Sequence, residues 1–511
     1  MLVKIYSAYV NGIEAATITL EVNILQGVKF IIVGLPDNAV KESQQRIDSA
    51  LREIGSRIPG KRVIINMAPA DVKKEGSSYD LPLAIGIMAA NEQLQTTDFE
   101  EYIILGELSL DGSLVTTKGV LPIAINACNQ GFKKMIVPLA NANEASIIED
   151  IEVYGFSHIR EVVDYFNKKR EFTSSKFIEP ESNNITNICD FDFKDVKGQE
   201  NVKRALEIAA AGAHNILMIG APGSGKTMLA RRLPSILPPM TKEESLETTK
   251  IHSVAGKLGN TTSLVNKRPF RAPHHTISNI ALIGGGANPH PGEISLSNNG
   301  ILFLDELPEF QRAVLEVMRQ PLEDRKITIS RAKYSVDYPA NFMLVASMNP
   351  CPCGYYNHPT KECSCNAGMV GRYLSKISGP LLDRIDIHIE VVPVELEKIT
   401  NMTDSEPSYK IKERVIAARN IQTERFKDAQ GIHCNAQMTP ALSKKHCKLN
   451  EQCIKILKYA MRKFGLSARA YDRIIKLSRT IADLEASKDI QVHHITEAIQ
   501  YRSLDRESWG Q

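Results

Sequence analysis

Gly220-Ala221-Pro222-Gly223-Ser224-Gly225-Lys226-Thr227 has the residue types and spacing to hold a chain of phosphates. A loop of this pattern cups phosphates with backbone N–H groups, and the helix that follows adds the positive end of its dipole. The apolar run 216–219 leads in as a strand, and Met228 continues into the helix, so the expected nucleotide contacts run from Gly220 to Met228. In this chemistry Lys226 reaches between the β- and γ-phosphates, and the Thr227 hydroxyl takes one Mg²⁺ position. Asp305 and Glu306 end a second apolar run, 300–304. Asp305 is expected to hold Mg²⁺ through water, and Glu306 to polarise the water that attacks the γ-phosphate. The second carboxylate points to hydrolysis of ATP. Asn349 ends a third apolar run and is expected to orient the attacking water.

Further residues carry more open readings. Arg384 lies between Asp383 and Asp386. It is either an arginine finger for a neighbouring subunit's γ-phosphate or the ion-pair partner of one of those carboxylates. Arg469 and Arg473 stand one turn apart at the opening of a helix, placed to touch phosphates when a lid closes. Cys351, Cys353, Cys363 and Cys365 follow the spacing C-x-C-x9-C-x-C. Four thiolates in a short loop suit a tetrahedral, structural Zn²⁺; free or redox-active thiols are the alternative, and His358 is a substitute ligand. His274 and His275 are adjacent, which rarely lets both reach one ion, so a structural role is expected. Arg331, Lys333 and Tyr334 fall near the turn of an alternating run, 324–338. A basic and aromatic hairpin tip suits a nucleic-acid backbone, the other reading being an ordinary exposed hairpin.

The elements that position these groups follow from length and patterning. A chain of 511 residues is too long for one core and predicts two to four domains. Residues 1–167 read as mixed α/β, with strands at 17–22, 30–33, 62–66 and 102–105 alternating with helices at 38–54 and 122–130. Residues 168–192 read as a polar linker, 193–395 as a nucleotide domain with a parallel sheet, and 396–511 as a helical lid. The first residues lack a signal-peptide pattern, and no apolar run approaches the ~20 residues of a membrane span. A cytoplasmic protein without a membrane partner is therefore expected, its nine cysteines free or metal-bound. Net charge is only +3, but residues 396–511 carry 21 Lys and Arg against 14 Asp and Glu, a local +7 that fits a polyanion.

The most specific stretches are Arg268-Pro269-Phe270-Arg271-Ala272-Pro273-His274-His275-Thr276-Ile277-Ser278, then residues 281–286, 291–295 and 305–310. With the order of elements, they make nearly the whole chain resemble the magnesium-chelatase-like branch of AAA+ ATPases that includes the YifB/ComM competence proteins. The resemblance implies a ring, usually a hexamer, with Lys226, Thr227, Asp305 and Glu306 at ATP and Mg²⁺. It implies Asn349 as sensor 1, Arg384 as the finger acting in trans, and Arg469 as sensor 2, in cis or in trans. Residues 276–293 match the family's helix-2 insert, and 324–338 its hairpin before sensor 1. Residues 1–167 resemble a Lon-protease-like domain. Leu83 occupies the serine position there and Leu121 falls near the lysine position, with Lys118 the nearest lysine, so the catalytic dyad cannot form. A binding or assembly module is expected. The fold class is α/β: a Lon-protease-like (ribosomal S5 domain 2-like) domain, an AAA+ P-loop domain and a helical lid. The implied function is a ring-forming ATPase that moves branched or single-stranded DNA, a helicase of branch migration in recombination or natural transformation. The alternative is the ATPase motor of a magnesium chelatase. The N-terminal domain and the cysteines argue against it, the likeness to chelatase subunits being expected in the ATPase core alone. An ATP-dependent protease is disfavoured by Leu83.

Overall fold

Alternating burial writes the first sheet into the sequence: Val3 and Ile5 point inward while Leu2 and Lys4 face out. The computed structural model describes residues 2–96, 99–177, 191–258, 264–286, 289–331, 334–356, 358, 360–393, 405–429 and 431–502. They divide into two compact units.

The first unit is built on strands β1 (Leu2–Asn11), β2 (Glu14–Leu25), β3 (Phe30–Val33), β4 (Arg62–Ala68), β5 (Tyr102–Ile104), β6 (Lys134–Pro138) and β7 (Glu152–Phe156). Their order is β3-β4-β2-β1-β5-β6-β7. β2 pairs antiparallel with β1 and β4, while β5, β6 and β7 run parallel. Helix α1 (Asn38–Glu53) starts where the Asp37 carboxylate accepts the Val40 N–H at 2.8 Å, which satisfies an otherwise unpaired donor. Helix α2 (Asp80–Ala90) is buried along its whole length, as an almost wholly apolar helix must be. Leu83 lies inside it with no exposure, and Leu121 is equally buried, so neither position offers a nucleophile or base. Ser77 is hydrogen-bonded to the Glu107 carboxylate.

The same unit takes in residues 242–265, a segment that chain order assigned to the nucleotide domain. Its helix, Lys242–Val254, brings the Ser253 hydroxyl to the buried Glu144 carboxylate. Burial pushes the Glu144 carboxyl up, and donors from Ser253, Leu121 N–H and Asn141 offset part of that cost.

The second unit holds β8 (Ile216–Ile219), β9 (Phe270–Arg271), β10 (Ile301–Leu304), the hairpin β11 (Lys326–Arg331) and β12 (Tyr334–Pro339), β13 (Met343–Met348) and β14 (Ile387–Glu390). Five of these form one sheet, β9-β10-β13-β8-β14, with every neighbouring pair parallel. Every residue of β8, β10 and β13 is buried, which is why these strands read as apolar runs broken only by Ser347. Helices α3 (Glu200–Gly212) and α4 (Lys226–Arg232) belong to the nucleotide half. The lid comprises α5 (Ser408–Phe426), α6 (Glu451–Phe464), α7 (Ala468–Leu484) and α8 (Val492–Gln500). One core joins them: Ile216, Val345 and Ile387 of the sheet cluster with Val415, Ile474, Ile481 and Ile495 of the lid.

A buried polar joint lies within that core. Asp386 accepts the Asn215 N–H at 2.9 Å and meets Arg473 of α7 at 3.0 Å and His214 Nδ1 at 3.4 Å. His214 Nε2 is 2.7 Å from the Thr480 hydroxyl. Burial alone pushes the Asp386 carboxyl up. The Arg473 guanidinium, His214 and the Asn215 N–H outweigh it and hold the group well below the usual carboxylate range. Arg473 is thus committed to the sheet.

The hairpin pairs Lys326 with Pro339 and Arg331 with Tyr334. Lys333 and the side chains of Arg331 and Tyr334 lie outside the described residues, as does the 395/396 boundary. No helix among the described residues is long and apolar enough to cross a membrane.

Candidate active site

The phosphate loop leaves β8 and enters α4, and it turns through Gly225 at φ +91°, a left-handed conformation that side chains resist. Lys226 Nζ donates to the carbonyls of Gly220 at 2.7 Å and Ala221 at 3.0 Å, and to Asn349 Oδ1 at 3.2 Å. Burial lowers the Lys226 pKa, with the charges of Asp305 and Glu306 acting in the opposite sense. The Thr227 hydroxyl donates to Asp305 Oδ2 at 2.7 Å, and the Ser347 hydroxyl donates to Asp305 Oδ1. Lys226, Thr227, Asp305 and Asn349 therefore meet at the C-terminal ends of three adjacent strands, β8, β10 and β13, where ligands of open parallel sheets bind.

Glu306 follows at φ +54°. Its N–H donates to Asp305 Oδ1 at 3.1 Å and lies 3.4 Å from Ser347 Oγ, while its carboxylate is largely exposed. The His275 ring nitrogen Nδ1 is 4.0 Å from Glu306 Oε2. His275 is held by His274, with ring centroids 4.1 Å apart, and by the edge of Phe310. Sequence reasoning did not single out Ser347 or the His275–Glu306 approach. The signal for Ser347 was one hydroxyl inside the apolar strand β13; for His275 it was its place three residues beyond the Phe270–Ala272 stretch.

Neither Arg384 nor Arg469 contacts this cluster among the described residues. Arg384 donates to the Pro380 carbonyl at 2.6 Å and forms an ion pair with Glu323, not with either neighbouring aspartate. Arg469 is exposed in the first turn of α7 and has no hydrogen bond or ion pair among the described residues. Arg473, one turn on, is bound to Asp386.

The four cysteines converge beside the site. Cys351 Sγ lies 3.3 Å from Cys353 Sγ and 3.7 Å from Cys363 Sγ, with 3.5 Å between Cys353 and Cys363. All four sulfurs fall within 4.8 Å of one another. Zn–S bonds of about 2.3 Å give a tetrahedron with edges of about 3.8 Å, so the donor set fits that ion. The Tyr355 N–H, with the Cys351 and Cys365 thiols, draws the Cys353 thiol down to about 5, while the Cys363 and Cys365 thiols beside it are pushed up, so the bare cluster favours a single thiolate. His358 is turned to its own loop, where Nδ1 accepts from Thr360 and Lys361 N–H, and it is not among the converging ligands. At Gly354 a Cβ would stand 2.4 Å from Pro222 Cδ, so only glycine lets this loop lie against the phosphate loop.

Comparison with known proteins gives three family matches. Residues 192–399 match "Magnesium chelatase, subunit ChlI", residues 20–141 "Subunit ChlI of Mg-chelatase", and residues 405–502 "Magnesium chelatase, subunit ChlI C-terminal". Likeness to chelatase subunits thus extends beyond the ATPase core, contrary to the expectation from sequence. The chain is 43% identical to the competence protein ComM of Haemophilus influenzae over 98% of its own length and 97% of the relative's. It is 41% identical to YifB of Escherichia coli over 97% and 96%. A shorter match, 31% identical, links 28% of the chain to 27% of Lon protease 2 of Bacillus subtilis.

Proposed function

The chain belongs to the ComM/YifB family of magnesium-chelatase-like AAA+ ATPases, and from that premise we propose that it is a ring-forming motor that moves DNA. The convergence of Lys226, Thr227, Asp305, Ser347 and Asn349 on one strand-end crevice carries the ATPase part of the reading. An arriving phosphate takes Lys226 away from the Gly220 and Ala221 carbonyls. Thr227 would offer its hydroxyl oxygen to Mg²⁺ and Asp305 would hold the ion through water, the ion supplying charge neutralisation for the phosphates. Glu306, exposed and turned outward, is left to orient water. Arg384 reaches a neighbouring subunit's phosphate after release from Glu323, and Arg469 contacts phosphate from the lid.

DNA as the substrate is supported by the β11–β12 hairpin and by the basic C-terminal region, and the relative from Haemophilus influenzae is a competence protein. Arg331, Lys333 and Tyr334 are the proposed hairpin contacts, and branch migration by a hexamer is the proposed activity. Cys351, Cys353, Cys363 and Cys365 hold a structural Zn²⁺, which supplies rigidity and leaves no open coordination position.

The family descriptions keep a second reading in play, the motor of a metal chelatase. ATP turnover measured with and without forked DNA separates the two, with Lys226→Ala as the inactive control. Stimulation by DNA is expected. Turnover indifferent to DNA, and raised only by a porphyrin-handling partner, would overturn the DNA reading.

A further inference from the structure

Helix α6 carries its charge on one face. Lys455, Lys458, Arg462 and Lys463 are all exposed, and Tyr459 stands among them at 64% exposure. Positions i, i+3, i+4, i+7 and i+8 share one side of a helix, so these five residues form a single stripe about 12 Å long. The opposite side is spent on the core, where Cys453, Leu457 and Ala460 are buried.

Several cations elsewhere in the lid are matched by carboxylates. On α5, Arg414 pairs with Glu207 and Glu406 and Arg425 with Asp483, and Lys427, the residue just past its end, pairs with Glu424. On α7, Arg473 and Arg479 pair with Asp386 and Asp483. None of the four cations on the α6 stripe has a carboxylate partner among the described residues. From Lys444 to Arg469 there are eight Lys and Arg and a single acid, Glu451. Four exposed cations on one helix face, none of them paired with a carboxylate among the described residues and in a stretch this poor in acid, make a surface for an external polyanion.

The chemistry narrows the polyanion. A helix that lies on an anionic membrane needs an apolar face to insert, and that face of α6 is already buried in the lid. Tyr459 adds an exposed aromatic ring within the cationic stripe, with Lys463 Nζ 5.6 Å from its centroid. Phosphate-binding cations interleaved with a ring on which a base can stack are the ingredients of a single-strand binding face. We infer that the α6 face, Lys455, Lys458, Arg462 and Lys463 around Tyr459, is a second nucleic-acid contact that holds single-stranded DNA on the lid. The inference takes its ligand from the DNA reading above but assigns it to a different surface from the hairpin.

The test uses the full chain and a fluorescent oligothymidylate, with binding followed by anisotropy over a series of salt concentrations. The quadruple variant Lys455→Gln, Lys458→Gln, Arg462→Gln, Lys463→Gln is expected to bind more weakly. Its log–log salt slope should be shallower by about 3, from roughly 0.7 per lost phosphate contact. Tyr459→Ala should weaken binding about 5- to 100-fold with the slope unchanged. ATP turnover without DNA should match the parent in both, which shows that the fold is intact. The inference is overturned, and the DNA reading survives, if both variants bind as the parent does. If the parent itself binds no oligonucleotide, both fall. Parent binding to phosphatidylserine vesicles as tightly as to oligothymidylate, lost in the quadruple variant, would also overturn it by making a lipid surface the occupant.

Discussion

Glu306 occupies a left-handed backbone position with its carboxylate turned out of the sheet, a conformation that costs a non-glycine residue about 1–3 kcal/mol. Such a cost is tolerated where the side chain must face a substrate. Glu306→Gln keeps the shape and removes the base, so turnover should fall about 10²- to 10⁴-fold while ATP affinity stays near the parent value. Steady-state kinetics with an equilibrium nucleotide-binding measurement check this. Ser347→Ala removes a hydrogen bond that aims Asp305, and the Mg²⁺ concentration needed for half-maximal turnover should rise. An unchanged Mg²⁺ requirement would remove Ser347 from the site. The phosphate loop and the Asp305–Glu306 pair were legible in the sequence because each is a continuous stretch whose spacing is itself the chemistry. Ser347 and His275 were not, because what makes them matter is a neighbour 42 or 31 positions away.

At the scale of elements, the cysteine loop leads directly from Asn349 and rests on Pro222, so it braces two parts of the nucleotide site at once. One Zn²⁺ per chain is expected from elemental analysis. The double variant Cys351→Ser, Cys363→Ser should lose the metal, unfold at a lower temperature and turn over ATP more slowly. Full activity and stability without metal would contradict the brace. The joint between sheet and lid adds a pH dependence. His214 faces Asp386, Thr480, Arg473 and Lys476, and His388 faces Arg502 and Asp386; burial lowers the pKa of both histidines. Each therefore binds fewer protons folded than unfolded once the pH falls below about 6.5. Stability is fully present above that value and is lost as pH falls toward the folded pKa, by up to about 1.4 kcal/mol per pH unit for each histidine. Thermal midpoints should drop between neutral and mildly acidic pH, and His388→Leu should flatten the curve. The spacing of the cysteines made their cluster readable. The Arg473–Asp386 and Arg384–Glu323 pairs were not readable, since each joins residues about 60 or more positions apart while nearer carboxylates compete on paper.

For the whole molecule, the decisive question is whether one chain completes the pocket of another. Arg384 is engaged with Glu323 and has no contact with Lys226 among the described residues. If it acts in trans, Arg384→Ala and Lys226→Ala should each be inactive alone. Their mixture should regain turnover, because an intact pocket then faces an intact finger. Mixtures no more active than either variant would rule out a shared pocket. The order of the elements was legible from strand and helix periodicity, and the five-stranded parallel sheet follows it. The grouping of residues 242–265 with the first unit was not, because a buried Glu144–Ser253 contact over 109 positions leaves no local trace. The most direct measurement of the account is displacement of a labelled strand from a forked DNA duplex in the presence of ATP and Mg²⁺. The parent chain should release the strand, and Glu306→Gln should bind both ATP and DNA without releasing it. Rapid ATP turnover by the parent with no strand released, on any forked or four-way junction, would contradict the account.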